Sequence, residues 1–133
     1  MNLQQTVRTF GMDDQSWLGS EHGTRATESC TLDVSTFTPA THYPAGFFKS
    51  GTPLGLITAT KKYGPYSAGA TDGRETLVGH LYAAVGAPTD NTIDVAAAIL
   101  THGKVRVSRL PVPAAVDAAG RADVAGSIRY LDN

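Results

Sequence analysis

The segment from Gly51 to Pro111 consists of short runs of alternating apolar residues that are separated by turn signals such as SAGATDG and GAPTDN. Side chains alternate between the two faces of a β-strand, so these runs predict strands and the glycine-rich stretches predict tight turns. The cleanest run, Glu75 to Val85, carries apolar groups on both faces and is expected inside the fold. Gly79 within it predicts a β-bulge or the close approach of another backbone.

Further strands are predicted at Thr31 to Phe37, Leu54 to Thr60, Ile93 to Thr101, Lys104 to Leu110 and Ile128 to Leu131. The alanines in Ile93 to Thr101 leave a helix as the alternative there, although the flanking turns favour a strand. The prolines and glycines of residues 41–55 predict an anchored loop. The alanine-rich stretch after Pro111 predicts a short helix within Ala114 to Val124. We therefore expect a mainly β fold with one short C-terminal helix.

The N-terminal segment differs from the rest of the chain in its apolar content. Residues 1 to 50 hold five Leu, Ile or Val residues, whereas the remaining 83 hold nineteen. Val7, Phe10, Trp17 and Leu18 stand isolated in a polar stretch, a pattern typical of an arm that orders against a partner. A frayed terminus is the alternative, but a tail in solvent has no physical use for the Trp17 indole. We expect an extended arm over residues 1–30 and a single β-rich domain over residues 31–133.

Charge and chain length limit the class of protein. With 11 basic and 12 acidic residues, the net charge of −1 provides no global field that would hold nucleic acid. Apolar stretches such as Val95 to Leu100 are far shorter than the ~20 residues of a membrane helix. Met1 to Phe10 lacks the features of a signal peptide. We expect a soluble protein made in a cytoplasm, with no nucleic-acid or membrane partner.

Residues able to support catalysis or metal binding are present but are not grouped. The lone Cys30 is expected to pack as a small apolar residue, because its neighbours supply no cation that would stabilise a thiolate. The four histidines lie at least twenty residues apart and have no cysteine partner. Asp72 and Glu75 fall in a TDGRE turn, and a catalytic carboxylate pair is the alternative. No catalytic, cofactor or metal site is predicted.

Two groups of surface residues have a binding alternative. Lys104, Arg106 and Arg109 are interpreted as a solvated strand face or as a contact to an acidic partner. Tyr63, Tyr66 and Tyr82 are interpreted as core or subunit contacts. As an aromatic platform, these tyrosines would instead indicate a carbohydrate- or receptor-binding β module displayed on a virion surface.

Four segments carry a resemblance to the phage lambda-type head decoration protein family: FKSGTPLGLIT from Phe48, KKYGPY from Lys61, TDGRETLVGHLYAAV from Thr71 and KVRVSRLP from Lys104. The likeness covers about Thr31 to Leu131. It implies a β-tulip-like fold and a homotrimer at the three-fold and quasi-three-fold positions of the expanded icosahedral head. There the trimer would cement the major capsid protein lattice against the pressure of packaged DNA, with neighbouring decoration trimers as further contacts.

The resemblance also implies a location and a role for the arm. The protein would lie on the outer surface of the phage head after synthesis in the bacterial host cytoplasm. Its N-terminal arm, which is longer here than in the lambda protein, would contact the shell, often by adding a strand to a capsid segment. Val7, Phe10, Trp17 and Leu18 are then expected to contact capsid protein or a neighbouring decoration subunit. Deletion of residues 2 to 20 is expected to leave a folded trimer that does not bind expanded heads.

Overall fold

The computed structural model of the chain describes residues 14–21, 23–111 and 116–131. The nine strands in these ranges are β1 (Glu28–Leu32), β2 (Phe47–Phe48), β3 (Pro53–Ile57), β4 (Lys62–Pro65), β5 (Leu77–Leu81), β6 (Val85–Gly86), β7 (Val95–Leu100), β8 (Gly103–Arg106) and β9 (Ile128–Leu131). The helices are α1 (Pro39–His42) and α2 (Ala118–Asp123), and single 3-10 turns lie at Val34–Thr36 and Val107–Arg109. The prediction of a mainly β fold is confirmed.

Five of the strands form a closed barrel in the order β1-β4-β3-β5-β7. The barrel closes through antiparallel pairing of β1 with β7, in which Cys30 lies opposite Ala97. The pairing of β1 with β4 is parallel, and the other barrel pairs are antiparallel. A closed barrel has no free strand edge along its wall, so pairing with another chain must use other parts of the molecule.

The bulge predicted at Gly79 is present. Leu54 lies opposite Gly79 and the next residue, Gly55, lies opposite Leu77, so Val78 is an extra residue in β5. A Cβ atom on Gly79 would also lie 2.3 Å from the carbonyl oxygen of Leu100 on β7. Both interpretations of this glycine therefore apply, and β5 lies inside the sheet between β3 and β7.

A second, smaller sheet joins the two ends of the described chain. β8 and β9 pair in parallel, with Lys104 opposite Arg129. On its other edge β8 receives the N-terminal segment, since Leu18 forms an antiparallel bridge with Val105. The Gly19 N–H donates to the Lys104 carbonyl at 2.8 Å, and the Arg106 N–H donates to the Trp17 carbonyl at 2.7 Å. Residues 17–19 thus act as a short third strand.

The buried apolar side chains form two clusters. The first, which we call the Trp17 cluster, consists of Trp17, Tyr66, Leu77, Leu100, Val105, Leu110, Val116, Val124 and Ile128. The second, the Cys30 cluster, consists of Cys30, Leu32, Val34, Phe37, Phe48, Leu54, Leu81 and Ile99. Strand β5 contributes Leu77 to one and Leu81 to the other, so the two clusters share strands of the barrel.

Several element boundaries differ from those expected. The strand expected over Thr31 to Phe37 ends at Leu32, because the Asp33 carboxylate accepts a hydrogen bond from the Ser35 N–H and caps a 3-10 turn. The strand expected over Lys104 to Leu110 ends at Arg106, because a second 3-10 turn, Val107–Arg109, begins at the next residue. The first two residues of the expected loop, 41 and 42, belong to the helix α1. The described chain therefore has two short helices, whereas the sequence predicted only the C-terminal one.

The expected C-terminal elements are confirmed. Helix α2 lies within the predicted Ala114 to Val124, and the Asp117 carboxylate caps its start by accepting from the Gly120 N–H at 2.8 Å. Strand β9 has the predicted bounds, Ile128–Leu131. At the other end, the expected division between an arm of residues 1–30 and a domain of residues 31–133 falls within β1.

Candidate functional site

Trp17 fastens the N-terminal segment to the domain. Its side chain is 0% exposed, and its indole N–H donates to the Ser50 hydroxyl at 2.9 Å. That hydroxyl donates to the Tyr82 carbonyl at 2.6 Å. Gly51 passes close to the indole with φ of +94°, and a Cβ atom there would lie 2.9 Å from Trp17 Cδ1. The Ser50-Gly51 pair is therefore the wall against which the indole packs.

His80 lies behind this indole, with the two ring centroids 5.7 Å apart. Its Nδ1 is 2.8 Å from the Gly51 carbonyl oxygen, and its Nε2 is 2.7 Å from the Tyr130 hydroxyl. Because a carbonyl only accepts, Nδ1 carries the proton and Nε2 accepts from Tyr130. Burial lowers the pKa of His80 to about 4, so the ring is neutral at neutral pH. The fully buried imidazole is structural, because a substrate has no access to it.

The four residues expected to contact capsid have different positions. Val7 and Phe10 lie outside the described residues. Leu18 is partly buried and packs against the Trp17 cluster. Trp17 lies in the core of its own domain and not in a free arm, so its indole is not available to another subunit in this conformation. The deletion of residues 2 to 20 would also remove the buried Trp17 indole, so a test of the arm has to keep this residue.

The tyrosines do not form a shared aromatic platform. Tyr66 is buried, and its hydroxyl donates to the Asp117 carboxylate at 2.6 Å. Burial, together with this carboxylate, raises the pKa of Tyr66 to about 12. Tyr63 packs against the Cys30 cluster, whereas Tyr82 packs against the Trp17 cluster. The glycan-binding alternative therefore loses the surface on which it depended.

The acidic turn is held by its own backbone. The Asp72 carboxylate accepts from the Arg74 backbone N–H at 3.2 Å and pairs with the Arg74 guanidinium at 3.0 Å, and these contacts lower the pKa of Asp72. The Glu75 carboxylate accepts from the Gly73 N–H at 2.8 Å. Each carboxylate thus stabilises the turn, as predicted, and the two do not form an acid and base pair directed at a common substrate.

The remaining candidates for chemistry are also accounted for by packing. Cys30 is buried in β1, and burial raises the pKa of its thiol to about 11, as expected for a residue that packs as a small apolar group. Across residues 14–21, 23–111 and 116–131, no three His, Cys, Asp or Glu side chains lie close enough together to hold a metal ion. His22 lies outside these ranges. No helix in the same ranges has the length and apolar character needed to cross a membrane.

The side chains of Tyr66, His80, Asp72 and Glu75 are therefore engaged in hydrogen bonds within the domain. The side chains of Lys104, Arg106 and Arg109 are exposed, as expected, although Arg109 lies in the 3-10 turn after β8. The family model of bacteriophage lambda head decoration protein D matches residues 13–128. This match defines a structural protein of the capsid decoration class. The chain belongs to the bacteriophage lambda head decoration protein D family. No individual curated protein gives a significant match.

Family membership confirms the resemblance found in the sequence. The matched region begins one residue before the described N-terminal segment and includes all five barrel strands. A phage head decoration protein binds the phage capsid and is located on the virion. Its role is structural, which agrees with a domain in which the buried side chains of Tyr66 and His80 are occupied by internal hydrogen bonds.

Proposed function

We propose that the protein is a homotrimer that binds the major capsid protein at the three-fold and quasi-three-fold positions of the expanded head. The observation that carries this proposal is the family match over residues 13–128, which spans the barrel and the N-terminal segment that packs on it. The trimer would lie on the outer surface of the head, in contact with neighbouring trimers, after synthesis in the host cytoplasm.

Stabilisation of the lattice follows from differential binding. A trimer that fits only the expanded arrangement of capsid subunits adds its binding free energy to that state alone. The expanded head then resists the outward pressure of packaged DNA without any chemical reaction. The buried, hydrogen-bonded His80 and the carboxylates of Asp72 and Glu75, which bind the backbone of their own turn, are compatible with this mode of action.

The segment before Asp14 is proposed to be the capsid-binding arm. Trp17 fixes the position at which this arm leaves the domain, next to β8. Val7 and Phe10 are its large aliphatic and aromatic candidates for contact with a capsid subunit. Burial of both would contribute about 3–6 kcal/mol, which is less than the roughly 12–24 kcal/mol needed to order residues 2–13 at ~1–2 kcal/mol per residue. Backbone hydrogen bonds to a capsid strand, and three arms per trimer, would supply the remainder.

Deletion of residues 2–13 tests this proposal while keeping Trp17. We expect the variant to remain a folded trimer, as measured by light scattering and thermal unfolding, and to lose binding to expanded heads that lack decoration protein. A V7A/F10A variant should show most of this loss, whereas the matched polar control Q4A/Q5A should bind like the full chain. Full binding by the deletion variant would contradict the role of the arm. A full chain that is monomeric, or that does not bind heads, would contradict the proposed function itself.

A further inference from the structure

The outer face of the β8–β9 sheet carries three exposed cations. Lys104 and Arg106 lie two residues apart on β8, and Val105 between them is buried. Arg129 lies opposite Lys104 in the parallel pairing and is also exposed. Residues paired across two strands have their side chains on the same face of a sheet. We call Lys104, Arg106 and Arg129 the cationic face.

The cationic face takes part in none of the ion pairs found among the described residues. The ion pairs of the described residues join Lys62 to Asp94 and Arg74 to Asp72, and none includes a member of the cationic face. Residues 103–111 contain no Asp or Glu. Like charges placed directly opposite each other on neighbouring strands destabilise a sheet. The parallel pairing thus places two exposed cations, Lys104 and Arg129, directly opposite each other.

The N-terminal segment leaves this face accessible. Gly19 runs beside Lys104, and a Cβ atom on Gly19 would lie 2.9 Å from the Lys104 Cβ and 2.9 Å from the Leu131 Cδ1. Glycine therefore allows the added strand to pass without displacing the lysine. The same strand places the Trp17 carbonyl on the Arg106 N–H, so the chain preceding Trp17 starts next to the cationic face.

We propose that the cationic face binds a cluster of acidic side chains on a capsid subunit, next to the place where the arm begins. The inference rests on the proposed function and deepens it, since it assigns a surface of the folded domain and the chemistry of its partner. Protein carboxylates fit better than nucleic acid. Three cations on two short strands are fewer than the roughly 6–10 phosphate contacts typical of strongly salt-dependent DNA binding, and the net charge of the chain is −1.

Charge reversal on β8 tests this inference. We expect a K104E/R106E variant to bind expanded, decoration-free heads at least about tenfold more weakly than the full wild-type chain at low salt, because complementary charges accelerate and orient association. The dependence of its binding on NaCl concentration should be largely lost. The matched control is R25E/K61E, which makes the same change of charge at two exposed positions outside β8 and β9 and should bind within about twofold of wild type. A K104Q/R106Q variant should give an intermediate loss.

The outcomes separate the two proposals. Wild-type protein that does not bind heads would overturn the proposed function. If the wild type binds and K104E/R106E binds equally well with the same salt dependence, the cationic face is not a capsid contact and only this inference fails. A changed oligomeric state of K104E/R106E in light scattering would instead assign the face to contacts between copies. Retention of the wild type, but not of K104E/R106E, on duplex DNA would assign it to nucleic acid and would also overturn the inference.

Discussion

His80 joins three parts of the chain that are distant in sequence. The imidazole contacts the Trp17 indole, the Gly51 carbonyl and the Tyr130 hydroxyl, and both of its nitrogens have a hydrogen-bond partner. A buried polar side chain is tolerated when its hydrogen-bonding capacity is satisfied. The guanidinium of Arg121 lies 5.6 Å from the centroid of the Tyr130 ring, whose hydroxyl donates to His80, and supplies no anion that would stabilise a protonated imidazole. A proton added to His80 would therefore place a charge in the core.

The free energy of unfolding should fall as the pH is lowered. The pKa of His80 is about 4 in the folded protein, below its ordinary value of 6.5, so the unfolded chain binds the proton first. His80 contributes fully above pH 6.5 and loses up to about 1.4 kcal/mol of stability per pH unit between about pH 6.5 and pH 4. Urea unfolding followed by Trp17 fluorescence at pH 7.5, 6 and 5 measures this slope.

An H80Q variant serves as the control for this slope. The variant should be less stable than wild type at pH 7.5, but its stability should change less between pH 6.5 and pH 5. Burial also lowers the pKa of His42, so a smaller slope of the same sign should remain. Asp72, Asp90 and Asp117 have lowered pKa values and titrate below this range. A wild-type stability that is constant from pH 7.5 to pH 5 would contradict the buried neutral state of His80.

Among the elements, β5 shows most directly how a local sequence feature determines packing. Its bulge at Val78 and the close passage of Leu100 both coincide with Gly79. Gly86 on β6 is a contrasting strand glycine, since a Cβ atom there would meet nothing within 4 Å. Gly79 is therefore required because a side chain would not fit there, whereas no such steric requirement applies at Gly86.

Replacement of Gly79 by alanine should destabilise the barrel. The new Cβ atom would lie 2.3 Å from the Leu100 carbonyl oxygen, so β5 or β7 must shift, at a cost of about 1–3 kcal/mol. The matched G86A variant should be neutral or slightly stabilising, because alanine reduces the entropy of the unfolded chain. The midpoints of chemical unfolding of the two variants check this difference. Equal midpoints would show that the barrel relaxes around the Gly79 methyl group without loss.

Elements that depend on local pattern could be predicted from the sequence, and those that depend on long-range pairing could not. Strand β9 and the helix α2 were recognisable because alternation, capping residues and alanine content are local. The predicted end of the first strand was wrong. Val34 is buried, as the alternation predicts, but Asp33 caps a 3-10 turn and so ends β1 at Leu32. The position of Trp17 was missed because its pairing with β8 joins distant parts of the chain.

The candidate binding surface shows the same division. Lys104 and Arg106 are visible in the sequence as alternate residues of one strand. Arg129 could be added to them only once the parallel pairing of β8 with β9 was known, because no local signal specifies which strand lies beside which. The cationic face as a whole could therefore be identified only from the tertiary structure, although the charge of each of its residues is evident from the sequence.

At the scale of the whole molecule, the two core clusters share the walls of the barrel. Strand β7 contributes Ile99 to the Cys30 cluster and Leu100 to the Trp17 cluster, since neighbouring residues of a strand lie on opposite faces. Loss of either cluster would leave one face of β7 exposed. The small sheet and the barrel are therefore expected to unfold as one cooperative unit, although their strands are not paired with one another.

The single tryptophan and the single cysteine test this cooperativity, because each lies in a different cluster. Along a urea series at pH 7.5, the fluorescence shift of Trp17 and the reaction of Cys30 with a thiol reagent should have the same midpoint, as two-state unfolding requires. In the folded protein the thiol is buried and its pKa is raised to about 11, so it should react only after unfolding. A C30A variant with an unchanged fluorescence transition controls for perturbation by the label. Labelling of Cys30 at urea concentrations that leave Trp17 buried would show instead that the Cys30 cluster opens first, and the barrel and the small sheet would then be separate folding units.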